Sequence, residues 1–227
     1  MRNDADETIN VSHFKFIGKI LSVFTHELNN HLAIIKESAG LMEDILSLQK
    51  PSQQQAIEES LKIANSIGAQ INKTSWLCKQ LNNFGHRMDN TYSAFNVNKT
   101  LEELLILINR SANQSKINFA KDFQEDIPSI YNNPAKLQFL IFCLVDSYLK
   151  QLSKDSTIVF KTSHKDKAVK ISIIPEGRFI EAYEANICPD DLHQHIVTKL
   201  EGNMAVYERG AVITLPLSVA TGAKMPE

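Results

Sequence analysis

Apolar positions in the first third of the chain recur at intervals of three, four and seven residues. Ile17, Leu21, Phe24, Leu28, Ile35 and Met42 fall on one stripe at helical period, and no proline breaks the run. The spacing predicts a helix from about Ser12 to about Leu48, which at 1.5 Å per residue exceeds about 50 Å. Residues 1–10 are polar and acidic, and fraying is expected there. Gln49-Lys50-Pro51-Ser52 closes the first helix and opens a second, with Pro51 early in its first turn. Ile57, Leu61, Ala64, Ile67, Ile71, Thr74, Leu77, Leu81 and Phe84 share one face of that second helix, and Gly85 is its expected stop. Two long helices with a short connection make an antiparallel hairpin. One such hairpin cannot bury its own stripe, whereas two copies can as a four-helix bundle, so a homodimer is expected.

Beyond residue 85 the pattern changes. His86 to Ala94 is polar and reads as a linker. A helix from Lys99 to about Ala112 follows, with Asn98 as its expected N-cap and Leu101, Leu104, Leu105 and Ile108 on one face. Ile117-Asn118-Phe119-Ala120 alternates as a strand does, and Tyr131-Asn132-Asn133-Pro134 reads as a turn. Ala135 to Leu152 is a strongly apolar helix. Thr157 to Thr162 and Ala168 to Ile174 are β-branched strands joined by the polar turn Ser163 to Lys167. A short helix, Leu192 to Leu200, and two strands, Met204 to Tyr207 and Ala211 to Leu217, complete the chain. The expected fold is α+β: a helical hairpin over 11–88, then an α/β sandwich over 95–220 with a mostly antiparallel sheet covered on one side.

Composition narrows the function. The 227 residues suffice for one large or two small domains, and 43% hydrophobic content is ordinary for a chain with a core. A net charge of −2 argues against nucleic acid as the main partner. No run approaches the apolar length of a transmembrane helix, and the first ten residues do not look like a signal peptide, so a cytoplasmic protein without membrane insertion is expected. Cys78, Cys143 and Cys188 are widely spaced and form no metal-ligand pattern, which suits a reducing compartment.

The chemistry concentrates in Phe24-Thr25-His26-Glu27-Leu28-Asn29-Asn30-His31-Leu32. His26 lies two residues from both Phe24 and Leu28, so it points away from the apolar stripe. Glu27 is beside it and Asn30 one turn on, placing an imidazole, a carboxylate and a carboxamide on one exposed patch. The stretch resembles the H-box of two-component histidine kinases. The resemblance implies a phosphoacceptor role for His26 and an acid/base role for Glu27, hydrogen-bonded to the imidazole. It also implies that Asn30 stands where related proteins orient a water for dephosphorylation of a response regulator. One departure is His31, where the family usually has proline.

The rest of the chain resembles the ATPase-like domain of the same family. Phe95-Asn96-Val97-Asn98 is similar to its opening segment, Asn133-Pro134-Ala135-Lys136-Leu137-Gln138 to the start of its N-box helix, and Gly202 with Gly210 to Pro216 to its close. Laid on that pattern, the Mg²⁺-binding asparagine falls at Ser147, and the adenine-binding Asp-x-Gly-x-Gly turn falls on Pro175 to Phe179, of which only Gly177 survives. Pro175 cannot accept the adenine hydrogen bond, and Phe179 fills space meant for nucleotide. The later glycine pair falls on Ile187-Cys188-Pro189-Asp190, with both glycines gone. These losses imply a degenerate domain with no cofactor of its own and no metal site. His193 and His195 face different ways on a short helix, and His13, His31, His86 and His164 are expected to be solvated. Trp76 is expected to serve packing or an interface.

The resemblance therefore implies a histidine phosphotransferase, relaying phosphoryl groups between receiver-domain aspartates through His26, with Mg²⁺ on the receiver. Its expected partners are response-regulator receiver domains and an upstream histidine kinase. The alternatives are a response-regulator phosphatase using Asn30 and Glu27, a dimeric adaptor or pseudokinase that holds no phosphate, and an ATP-dependent kinase.

Overall fold

In a computed structural model, residues 2–47, 53–180, 191–207 and 210–218 are described. Two helices, α1 (Arg2–Ser47) and α2 (Gln53–His86), pack along each other as the expected hairpin. At 46 residues, α1 is about 70 Å long. It starts at Arg2, so the expected start at Ser12 lies ten residues inside it. The connection through Pro51 and Ser52 lies outside the described residues. His31 leaves α1 unbroken to Ser47, since it keeps the backbone N–H that a proline would lack.

The α/β part begins with β1 (Ser93–Phe95), then α3 (Val97–Gln114), β2 (Asn118–Phe123), β3 (Ile130–Asn132) and α4 (Pro134–Gln151). It continues with β4 (Thr157–Lys165), β5 (Ala168–Glu176), α5 (Asp191–Lys199), β6 (Asn203–Tyr207) and β7 (Gly210–Pro216). The main sheet has the order β2-β4-β5-β7-β6. The β2–β4 pair is parallel and the other three are antiparallel, so the sheet is mixed. The β4–β5 hairpin turns tightly at Asp166 and Lys167, both with positive φ, which shortens the five-residue turn expected from the sequence.

Two short strands were expected to be linker and turn. Ser93–Phe95 pairs antiparallel with Ile130–Asn132, tying the entry of the domain to the start of α4. Asn96, not Asn98, caps α3: its side chain accepts from the Lys99 N–H at 3.1 Å. Asn98 lies inside the helix and donates to the Gln124 carbonyl at 2.8 Å. Asn133 caps α4 in the same way through the Lys136 N–H.

The core lies between the helices and the sheet, around Leu101, Leu104, Leu137, Leu140, Ile158, Phe160, Ile171 and Ile213, all at most 1% exposed. The hairpin contributes to it. Phe16 and Ile20 of α1 are buried, whereas Leu21 of the expected stripe is 47% exposed. The stripe splits because the start of α1 packs on α4 as well as on α2. Farther along, Leu32, Leu41, Leu46, Ile57, Leu61 and Ile71 are each about half exposed in the single chain. No described helix is long and apolar enough to cross a membrane.

Candidate functional site

His26 is exposed on α1 and Glu27 is half-buried beside it. The group that meets them comes from the second domain. Arg110, on the penultimate turn of α3, donates from Nη1 to Glu27 Oε2 at 2.6 Å and places Nη2 3.4 Å from His26 Nε2. Guanidinium is a donor without a lone pair, so His26 Nε2 is the acceptor and the ring proton sits on Nδ1. The expected Glu27–His26 bond does not form, because Glu27 spends one oxygen on Arg110 and turns the other toward His31 Nε2, 3.7 Å away. His31 is not solvated as expected; its Nδ1 lies 3.0 Å from Thr74 Oγ1 on α2, locking the hairpin beside the site. The polar chain runs from His26 through Arg110, Glu27 and His31 to Thr74.

Asn30 is exposed. It lies at the junction of two depressions. One is a groove of about 700 Å³ between hairpin and α3, lined by Phe24, Glu27, Trp76, Ile106 and Arg110 among others. The other is a shallow surface shared with His26 and Thr25. Trp76, 51% exposed, forms part of the groove wall.

A second contact between the units lies at the start of α1. Phe16 packs against Phe84, Phe139 and Phe142 with ring centroids 5.6, 5.6 and 4.6 Å away. His13 meets Phe139 edge-on at 5.0 Å, so it is not solvated either; burial, aided by the charge of Lys136, lowers its pKa. Lys19 forms an ion pair with Asp146 of α4, which also takes Lys150 at 2.6 Å. Burial pushes the Asp146 carboxyl up, but hydrogen bonds from Lys150 and Lys19 outweigh it and the pKa ends below the ordinary value. At the base of the hairpin, Arg87 forks onto Glu103 at 3.0 and 2.9 Å. Nε2 of His164 is buried without a hydrogen-bond partner. Only His86 among the four stands in solvent, paired with Asp89 at 2.7 Å.

The residues that the resemblance lays on the nucleotide positions have partners within the chain. Asp146 is already matched by two lysines, and Ser147 Oγ accepts from Gln151 at 2.8 Å. Pro175 is buried in β5 opposite Ile158. Gly177 has φ +145, and a Cβ there would stand 2.1 Å from Ser156 Oγ, so chain packing explains this glycine without a ligand. Phe179 packs on the core and pairs with Leu152. The segment holding Ile187 to Asp190 lies outside the described residues. Among the described residues no group of three metal-ligating side chains converges.

The sequence offered no signal for Arg110, which lies 84 residues from His26. No family model matches the chain. No curated protein matches it. Among solved structures it is similar to the Acinetobacter baumannii histidine kinase AdeS, at 16% identity and TM-score 0.48, over 85% of this chain and 98% of that one. It is also similar to histidine kinase ThkA in complex with the response regulator TrrA, at 15% identity and TM-score 0.46, over 95% of this chain and 66% of that one. A third likeness is to full-length ShkA in complex with AMPPNP, at 13% identity and TM-score 0.45, over 86% and 45%. These are likenesses of layout.

Proposed function

We propose that this chain is a histidine phosphotransferase of two-component signalling. The observation that carries the reading is His26 itself: exposed on a continuous helix, with Nε2 as the lone-pair nitrogen. In the transfer, the Nε2 lone pair attacks the phosphorus of a receiver's aspartyl phosphate in line. The N–P bond forms, the acyl P–O bond breaks, and its electron pair returns to the aspartate carboxylate. A second receiver's aspartate then attacks the phosphohistidine, and Nε2 recovers its lone pair. Mg²⁺ belongs to the receiver, and the chain's part is positioning and charge balance.

The poor fit of Asp146, Ser147, Pro175 and Phe179 to nucleotide supports a relay that takes its phosphoryl group from another protein. The half-exposed apolar side chains along α1 and α2 support a homodimer. A second reading, a response-regulator phosphatase, is favoured by Glu27 and Asn30 lining one groove, from which a water could be aimed.

The test mixes purified protein and Mg²⁺ with radiolabelled ATP, then with a ³²P-labelled receiver domain. Label reaching the chain only from the receiver, and absent in His26→Ala, is the expected result. Label from ATP alone would establish a kinase. Free phosphate without labelled chain, abolished in Asn30→Ala, would establish the phosphatase. Neither labelling nor release would leave an adaptor.

A further inference from the structure

Arg110 makes two demands on the phosphoacceptor site. Its guanidinium stays charged and has no acceptor atom, so its approach to Nε2 at 3.4 Å requires an unprotonated Nε2 and a proton on Nδ1. That is the tautomer a nucleophilic Nε2 needs. The same N–H points at the lone pair that would attack phosphorus, and one lone pair cannot serve both. Glu27, 2.6 Å from Nη1, anchors the guanidinium in this position.

Arg110 belongs to α3, packed in the second domain's core through Leu104, Leu107 and Ile108. Its reach to α1 therefore depends on how that domain sits on the hairpin. The seat is held elsewhere by Phe16 against Phe139 and Phe142 and by Lys19 with Asp146.

We propose that Arg110 is a positioning residue that selects the Nδ1–H tautomer of His26 and covers its Nε2 lone pair while the second domain is seated. The seated form is the resting form. Phosphoryl acceptance requires the domain to lift or the guanidinium to withdraw, and a receiver docking on α1 supplies the energy. This assigns the second domain a task of its own. It rests on the phosphoacceptor reading of His26, but its test does not.

The test uses the full chain, with two readouts that need no phosphoryl donor. Long-range ¹H–¹⁵N spectra report the His26 tautomer, and peptide mass mapping reports the acylation rate of His26 by diethyl pyrocarbonate, with His86 as internal reference. In the wild type His26 should show one tautomer and slow acylation. Arg110→Ala should give a mixture of tautomers, and faster acylation by about tenfold, the factor allowed by losing one weakly aligned charge-assisted hydrogen bond. Lys19→Ala keeps Arg110 but loosens the seat, and should move both readouts in the same direction by less. An unchanged tautomer and acylation rate in Arg110→Ala would overturn the proposal, as would slower acylation. Label uptake from a phospho-receiver, measured alongside, should rise with acylation. If acylation responds as expected but no variant takes label, the hold of Arg110 on the imidazole stands and the phosphotransfer reading falls.

Discussion

Replacing Phe16 with alanine should unseat the second domain from the hairpin without unfolding its sheet. Phe16 is 1% exposed and touches three aromatic rings, one on α2 and two on α4. Truncating a fully buried phenylalanine costs about 3–5 kcal/mol, including the cavity left behind. The ion pair from Lys19, whose side chain is 42% exposed, contributes at most about 1 kcal/mol and cannot offset that loss. At 1.4 kcal/mol per decade, the opening equilibrium should rise by about two to three and a half orders of magnitude. Hydrogen exchange read by mass spectrometry separates local from global opening. Amides of α4 and the first turns of α1 should lose protection by that factor, while those of β4 and β5 keep theirs. Equal loss of protection in β4 and β5 would refute the reasoning, because Phe16 would then support the whole domain. Unchanged protection at the start of α1 would refute it too.

Arg87→Ala leaves Glu103, 8% exposed, without its fork, and should cost about 2–3 kcal/mol in urea unfolding. That is below the range for a fully buried pair because the Arg87 side chain keeps 23% of its surface. Tyr148→Phe should be neutral or stabilising by about 1 kcal/mol, since the Tyr148 hydroxyl is buried with no hydrogen-bond partner and its pKa is pushed up to about 12. Acidification should weaken the seat in two steps. The unfolded chain protonates His13 near 6.5 while the folded chain resists, so stability falls as pH drops below that value. The Asp146 carboxyl is held below 3.8, so its contribution is present above the ordinary value and is lost as pH falls through the lowered one. Denaturant midpoints from pH 8 to 3 read both steps, and His13→Phe should abolish the first; a flat profile between pH 7 and 5 would contradict the assignment.

The long elements were legible because their periods are long. Eight apolar positions on one face of α2 and the β-branched runs of β4 and β5 have no competing reading. The three-residue strands β1 and β3 carry too few residues to show alternation, so their pairing through Ala94 and Tyr131 was invisible. The choice between Asn96 and Asn98 as cap turns on the side-chain oxygen: that of Asn96 accepts from the Lys99 N–H, whereas that of Asn98 accepts from Thr162 Oγ1 at 2.7 Å. The helical wheel placed His26 outward correctly with respect to the hairpin. It could not say that a second domain stands on that side, so Arg110 was missed and Glu27 was given a partner it does not have. The same wheel puts Leu21 on the buried stripe, whereas the docking of α4 buries Phe16 and leaves Leu21 47% exposed.

The outward apolar side chains from Leu32 to Ile71 carry a consequence beyond packing. If a second copy covers them, the hairpin's folding free energy acquires a mass-action term, and each tenfold dilution subtracts about 1.4 kcal/mol. Cellular copy number then becomes a control on how much competent protein exists. Subunit exchange would mix wild-type and variant chains in one bundle, where a single chain lacking His26 leaves its neighbour's histidine in place and halves the dose of sites without removing the scaffold.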